Sequence, residues 1–237
     1  MFNISYIKIK THSQPLTTYD EFVIKYAFGG NSSLVSISNG KLGIGSEHWI
    51  SENSECFLFG KDGGLVRMEL SVPNKNIKKN LNKKTSCWGE ILFPSPRPFL
   101  VTPTKFRELS AQRKELTCLN FVPVGDVDYV FVKEDFYLVF SGGKYCGYRL
   151  RNPIRYLCES LDEDLGLITE PDDAEYYLME EYFSIMSDDK FDELSQDMRL
   201  LVLELSSKIT PQLRTIQCAR RRKVVEKTIV ELLDFYS

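Results

Sequence analysis

The spacing of the apolar residues changes once along the chain, near residue 158, and this change constrains the fold more than any other feature. Before it, apolar and polar residues alternate in short runs bounded by glycine-containing turns, as in half-buried strands. After it, apolar residues recur every three or four positions, as in amphipathic helices. The sequence therefore predicts an α+β protein, with a mainly antiparallel β-sheet region over 1–158 and an acidic helical region over 159–237 packed on it.

Three β-hairpins are predicted in the sheet region. The dipeptide Asn39-Gly40 separates strand-like runs at 33–38 and 41–45, and such a dipeptide favours the type I′ turn of a tight hairpin. The second and third hairpins span 56–70 and 136–150, each with two consecutive glycines at its turn. These signals predict that neighbouring strands in the chain also pair in the sheet.

The second and third hairpins resemble each other. Aligned without gaps at an offset of 80, residues 57–73 and 137–153 share four identities in seventeen positions. Two explanations stay open: an internal duplication with related units at 1–73 and 87–153, or chance similarity between two ordinary hairpins. The segment between them, 74–86, contains five lysines, four asparagines and no acid, so we expect an exposed basic linker.

Helices are predicted at five places. Two short ones precede the similar hairpins, at 18–22 with a Thr-x-x-Glu capping box and at 102–106 with a capping threonine followed by proline. Three longer helices are predicted by apolar spacing over 174–186, 190–207 and 211–235, the last one long and C-terminal.

Charge is divided unevenly along the chain. The net charge of −3 conceals a segment, 159–197, that holds 15 acidic residues and a single cation, Lys190. Apolar residues at helical spacing run through the same segment, so we expect a folded acidic surface and not a disordered tail. A net charge of −14 on a few short helices would steer a cationic partner toward it.

The candidate partner-binding residues are the acids of this segment together with one tyrosine that would add buried contact area. They are Asp162, Glu163, Asp164, Asp172, Asp173, Glu175, Tyr176, Glu180, Glu181, Asp188 and Asp189. Tyr177 and Tyr182 are further candidate aromatic anchors, and the helical spacing equally predicts that both face the core. Three other roles for the acids stay open: docking on basic segments of the same chain such as 220–223, forming a homodimer contact, or lining an ordinary solvated face.

The sequence contains no recognisable catalytic, metal or cofactor motif. The six cysteines include no Cys-x-x-Cys pair, and only two histidines, His12 and His48, could complete a metal site. A triad built from Ser46 and His48 lacks a nucleophile elbow and an oxyanion loop. We therefore predict no catalytic residues, no metal and no cofactor, and free thiols for the cysteines.

The charge pattern favours a non-enzymatic cytoplasmic protein that binds and blocks another protein. Its specific form is a bacterial immunity or antitoxin-like inhibitor whose acidic face covers the basic active site of a nuclease-type toxin. We expect no membrane partner, because no stretch reaches the roughly 18 apolar residues of a spanning helix, and no nucleic-acid partner. The alternatives are an enzyme with a cleft between sheet and helices, using His48 or carboxylates, and a nucleic-acid-associated or homo-oligomeric scaffold using 75–84 and 220–223.

Overall fold

The fold is described from a computed structural model of the chain. The residues that the structure describes are 2–4, 7–29, 33–40, 55–79, 81–92, 101–166 and 169–236. The strands are β1 (Asn3–Ile4), β2 (Ile7–His12), β3 (Val23–Ala27), β4 (Ser33–Ser38), β5 (Cys56–Phe59), β6 (Leu65–Val72), β7 (Lys83–Leu92), β8 (Phe106–Ser110), β9 (Glu115–Leu119), β10 (Val127–Lys133), β11 (Phe136–Ser141), β12 (Lys144–Arg151) and β13 (Leu157–Cys158). The helices are α1 (Asp173–Ile185), α2 (Asp188–Glu193), α3 (Met198–Ile209) and α4 (Ala219–Tyr236), with short 3-10 turns at Thr17–Tyr19, Pro153–Tyr156 and Thr210–Thr215.

The strands form two sheets, and the four helices follow them in the chain, so the predicted α+β class is confirmed. The first sheet has the order β1-β2-β7-β10-β11-β12-β9-β8, and the second has the order β13-β3-β4-β6-β5. Most pairings are antiparallel, as predicted, but β7–β10, β1–β12 and β3–β13 are parallel. One large apolar core joins residues of both sheets and of the helices.

The first sheet closes on itself. Asn3 of β1 pairs with Lys144 at the start of β12, so β1, β2, β7, β10, β11 and β12 form a ring. Gly147 then lets β12 approach β9, because its φ is +139° and an added Cβ would lie 2.0 Å from the carbonyl oxygen of Cys118. Only glycine fits that backbone position without displacing β9.

Two of the three predicted hairpins are confirmed. β5 pairs with β6 and β11 pairs with β12, both antiparallel, at the positions that their glycine turns predicted. The Asn39-Gly40 hairpin is wrong in its pairing, because β3 and β6 occupy both sides of β4 along Ser33–Ser38. The predicted partner run, 41–45, lies outside the described residues.

The two similar units share a pairing order that the sequence did not reveal. In the first, β3 pairs with β4, β4 with β6 and β6 with β5; in the second, β8 pairs with β9, β9 with β12 and β12 with β11, all antiparallel. In both hairpins the pairing skips one residue of the second strand, Val66 and Cys146, which are equivalent at the offset of 80, although the facing strand differs in register by one residue. Both explanations of the similarity, duplication and chance, stay open.

The helix predictions were right about the region and wrong about several boundaries. Helix α1 lies where it was predicted, whereas the helix predicted over 190–207 is two helices, α2 and α3. The break occurs because Ser195 and Gln196 have φ near +60° and Asp197 caps a new helix by accepting from the N–H of Arg199 and Leu200. The last predicted helix likewise begins later, at Ala219, after a 3-10 turn.

Neither of the two short predicted helices is an α-helix in the structure. The first is a 3-10 turn over Thr17–Tyr19. The second, predicted over 102–106, is wrong: residues 102–105 are irregular, and Phe106 begins β8. Backbone pairing with β9 outweighs the capping signal there, because Lys105 N donates to the oxygen of Leu119.

The basic linker is held against the sheet over its described residues. Ile77 and Leu81 are partly buried on the outer face of the first sheet, in an apolar cluster with Val127 and Val139. Residue 83 already belongs to β7. Most lysines of the linker are exposed, as predicted from its composition. The composition did not indicate that two apolar residues, Ile77 and Leu81, anchor the linker to the sheet.

A buried carboxylate, Glu55, joins the two sheets. Its oxygens accept hydrogen bonds from Ser71 N at 3.1 Å, Ser71 Oγ at 3.0 Å and Thr104 N at 2.9 Å, and the residue is 5% exposed. Ser71 belongs to β6, whereas Thr104 lies just before β8. Burial raises the pKa of Glu55 to about 7, although these hydrogen bonds act to lower it.

Candidate functional site

A groove of about 680 Å³ lies between the helical region and the edge of the first sheet. Its walls are three short segments: residues 76–79 of the linker, residues 107–110 around β8, and one face of α1. The α1 face comprises Tyr177, Glu180, Glu181 and Ser184, which lie on one side of a helix because they are spaced by three and four residues.

The groove brings opposite charges face to face. Lys78 and Lys79 belong to the linker wall, and Glu180 and Glu181 belong to the helix wall. The carboxylate of Glu180 also accepts a hydrogen bond from Ala111 N at 3.3 Å, beyond the end of β8. No sequence pattern indicated this groove, because the two lysines and the two glutamates are about a hundred residues apart in the chain.

Arg107 fixes the position of α1 beside β8. The residue is 3% exposed, and its guanidinium donates to the carbonyl oxygens of Phe183 and Met186 at the carboxyl end of α1, where the helix dipole favours a cation. It also donates to the side chains of Asn74 and Asn76 in the linker. Burial lowers the pKa of Arg107, and its hydrogen bonds go to carbonyl and amide oxygens.

One candidate acid is neutralised inside the protein. Glu175 and Arg221 are each 1% exposed, and they form a bidentate pair with N–O distances of 2.7 and 2.8 Å. Arg221 also donates to the backbone and side chain of Thr169. Docking on the basic segment 220–223, one of the roles left open for the acids, is the role of Glu175. The prediction that Glu175 contacts a partner is wrong because no partner can reach it.

Tyr176 is also wrong as a partner-binding residue. It is buried, with its ring under Lys114 and its hydroxyl 3.4 Å from Asn152 Oδ1. Tyr182 is buried as well, as the helical spacing predicted. Tyr177, which the same spacing placed in the core, is 58% exposed and lies in the groove wall, so it is the aromatic side chain of α1 that a partner can reach.

Several other candidate acids bind groups of their own chain. Asp173 lies 2.8 Å from Lys114, and Glu163 lies 3.8 Å from Arg220. Asp172 caps α1 by accepting from Glu175 N, and Asp164 accepts from Gly166 N. The expectation that the whole segment presents free negative charge is therefore too broad, because internal ion pairs and caps use part of it.

A smaller group of carboxylates forms no ion pair with a lysine or arginine within the part of the chain that the structure describes, although one of them, Asp188, interacts electrostatically with the buried Arg107. We call this group the acidic stripe; its members are Glu180, Glu181, Asp188, Asp189 and Asp192. Glu181 accepts from Gln212, and Asp192 accepts from Gln196, both neutral donors. Glu180 and Glu181 belong to α1, and the other three belong to α2, none of whose residues is buried. Asp162 is exposed in the turn before this region.

The described residues offer no cluster of three or more histidine, cysteine, aspartate or glutamate side chains that could hold a metal ion. The six cysteines are free thiols, three of them buried. Ser46 and His48, the residues of the enzyme alternative, lie outside the described residues. No helix in the described ranges has the length and apolar character needed to cross a membrane.

Comparison with known proteins gives no relative for this arrangement. No protein-family model, no curated protein and no solved structure matches the chain.

Proposed function

We propose that this protein is a non-enzymatic binder of a cationic protein, and that the acidic stripe beside the groove is its contact surface. One observation carries the proposal. Six acids of the segment 159–197 form ion pairs with their own chain, whereas no member of the acidic stripe forms one with a described residue; two members belong to α1 and three to α2. Clustered carboxylates attract a positively charged partner and accelerate its association.

Tyr177 would supply contact energy next to this charge. It is exposed on the same wall of the groove as Glu180 and Glu181, and exposed aromatic side chains often dominate the binding energy of an interface. The carboxylates would then govern association rate and partner choice, while the tyrosine would govern dissociation.

The narrower form of the proposal is an immunity or antitoxin-like inhibitor of a basic nuclease-type toxin, acting in the bacterial cytoplasm. Its support is an analogy that rests on the negative charge of the acidic stripe alone. It adds one expectation that a general binder does not share: the captured partner is a nuclease, and adding this protein abolishes its cleavage of nucleic acid.

Co-purification with matched charge variants tests the proposal. The stripe variant carries Glu181→Gln, Asp188→Asn and Asp189→Asn, and the control carries Glu226→Gln, Glu231→Gln and Asp234→Asn on exposed positions of α4. Both change the net charge by the same amount. We expect a basic protein to be retained by the unmodified chain and by the control at low salt, and to be lost from the stripe variant.

Two outcomes of the co-purification experiment would contradict the proposal. If all three chains retain the same proteins, or if the control loses the partner as completely as the stripe variant, the acidic stripe is not the contact surface. Circular dichroism of each variant establishes that loss of binding is not loss of folding.

The groove favours a second candidate function, the binding or conversion of a small molecule that carries both charges. Its volume lies in the usual range for ligand pockets, and it has lysines on one wall and glutamates on the other. Thermal unfolding with free amino acids and dipeptides tests it. A rise in melting temperature that Lys79→Gln and Glu181→Gln each remove would favour the small molecule.

A further inference from the structure

The loop between β9 and β10, residues 120–126, exposes apolar side chains that the proposed function does not use. Val124 is 96% exposed, Phe121 is 41% exposed and Val122 is 38% exposed. Pro123, between them, is buried and holds the loop against the protein. The apolar side chains therefore form a supported, protruding tip.

Four lysines lie at the strand ends that flank this tip. On one side, Val127 pairs with Lys83 of β7, and Lys84 follows it. On the other side, the N–H of Lys105 donates to the carbonyl oxygen of Leu119, the last residue of β9. The N–H of Asn120, the first residue of the loop, donates to the carbonyl oxygen of Cys146, which lies two residues after Lys144. All four lysine side chains are exposed, and the structure gives none of them an ion pair among the described residues.

The surroundings add little opposing charge. Asp126 is exposed within the loop itself, and Asp128 of β10 accepts a hydrogen bond from Thr85 at 2.5 Å. Lys75 lies over the ring of Phe106, which pairs with Leu119 at the base of the loop, and so adds a further cation nearby. The loop therefore carries exposed apolar side chains, and the strand ends beside it carry more lysines than acids.

We propose that this loop binds the surface of an anionic lipid membrane, with Phe121, Val122 and Val124 entering the headgroup region and the four lysines contacting acidic headgroups. A membrane surface accommodates a convex apolar tip, and it attracts a ring of lysines through its negative potential. Protein interfaces draw most of their energy from tryptophan, tyrosine and arginine, whereas the rim here contains lysine and the tip contains valine.

Peripheral contact of this kind requires no spanning segment. The expectation of no membrane partner depended on the absence of a long apolar stretch, and the loop reaches a membrane by a different route. Each lysine near an anionic surface changes binding about fivefold, so the four together outweigh the two acids, Asp126 and Asp128.

Vesicle co-sedimentation tests the proposal with the full chain. The probes are vesicles of phosphatidylcholine alone and of phosphatidylcholine with about 30% phosphatidylserine, whose anionic headgroups give the surface a negative potential. We expect binding to the anionic vesicles only, weakening as salt is raised. Val124→Asp should lower binding at least tenfold, and Lys83→Gln with Lys84→Gln and Lys144→Gln should lower it about 100-fold.

Two controls keep the result specific. Phe235→Asp removes an apolar side chain that is 79% exposed at the end of α4, away from the loop in the chain, and it should leave vesicle binding unchanged. The stripe variant should also bind vesicles normally, so this proposal can fail or succeed independently of the proposed function. Val124→Trp adds a direct readout, because its fluorescence should shift to the blue when anionic vesicles are added.

Three results would overturn the proposal. The first is no binding to anionic vesicles by the unmodified chain. The second is binding that Val124→Asp and the lysine variant leave unchanged. The third is tight binding to a DNA or RNA fragment that the lysine variant removes and Val124→Asp does not, because that pattern identifies a nucleic-acid contact in which the apolar tip has no part.

Discussion

The buried carboxylate of Glu55 makes the stability of this protein depend on pH in a direction that can be worked out from its surroundings. Burial raises its pKa from the ordinary 4.5 to about 7. The folded protein therefore binds a proton at Glu55 between these values, whereas the unfolded chain does not. Stability contributed by this group is lost as the pH rises through 7, and it is recovered as the pH falls toward 4.5.

The magnitude follows from the two pKa values. Their difference corresponds to about 3 kcal/mol, and about 2.5 kcal/mol of it develops between pH 8 and pH 5. Replacing the acid by an amide, Glu55→Gln, removes this titration. The amide also loses hydrogen bonds with Ser71 and Thr104, but that loss does not depend on pH.

The assay is equilibrium unfolding in urea, at several pH values from 5 to 8, for the unmodified chain and for Glu55→Gln. The free energy of unfolding of the unmodified chain minus that of the variant should fall by about 2.5 kcal/mol from pH 5 to pH 8. Glu226→Gln, at an exposed position on α4, is the control for general effects of removing one acid. A difference that stays constant within about 0.5 kcal/mol would refute the reasoning, because it would show that folding leaves the titration of Glu55 unchanged.

Three further predictions concern contacts that position the helices and the ring of strands. Glu175→Gln should lower the free energy of unfolding by about 3 to 5 kcal/mol, because it leaves Arg221 buried without its carboxylate. Asp173→Asn, at an exposed ion pair, should lower it by less than about 1 kcal/mol. Equal losses for the two variants in urea unfolding would contradict this prediction. Arg107→Met should cost about 2 to 4 kcal/mol by freeing the carboxyl end of α1, and amide hydrogen exchange should rise first in that turn. Gly147→Ala should cost more than about 3 kcal/mol, since the added methyl group meets the backbone of β9, and a melting temperature within a degree of the original would show that β9 can move aside.

Local signals were sufficient where neighbouring residues decide the structure. The glycine turns located two hairpins, and the apolar spacing over 174–186 located α1, because turn chemistry and helical periodicity act within a few residues. The same signals failed at 102–106, where pairing with β9 prevails, and at 195–197, where Asp197 starts a new helix inside an apolar pattern that runs through the break.

The candidate site could be predicted only in its composition. Counting charges identified the acidic segment, but the distinction between buried Glu175 and exposed Glu180 depends on Arg221, which lies 46 residues further along the chain. Tyr176 and Tyr177 exchange their expected roles because helical spacing alone does not fix which way a helix faces. The groove itself requires Arg107 to hold β8, the linker and α1 together, and such long-range contacts leave no local pattern.

The pairing of Asn3 with Lys144 has a consequence for how the protein is made. The first strand must wait for a partner that the ribosome adds about 140 residues later, roughly ten seconds or more at usual rates of synthesis. During that interval β1 and β2 have an unpartnered edge, which is the kind of surface on which nascent chains associate wrongly. We expect refolding to be slow and to improve with dilution, since completion of the ring depends on its two most distant segments finding each other before they find another molecule.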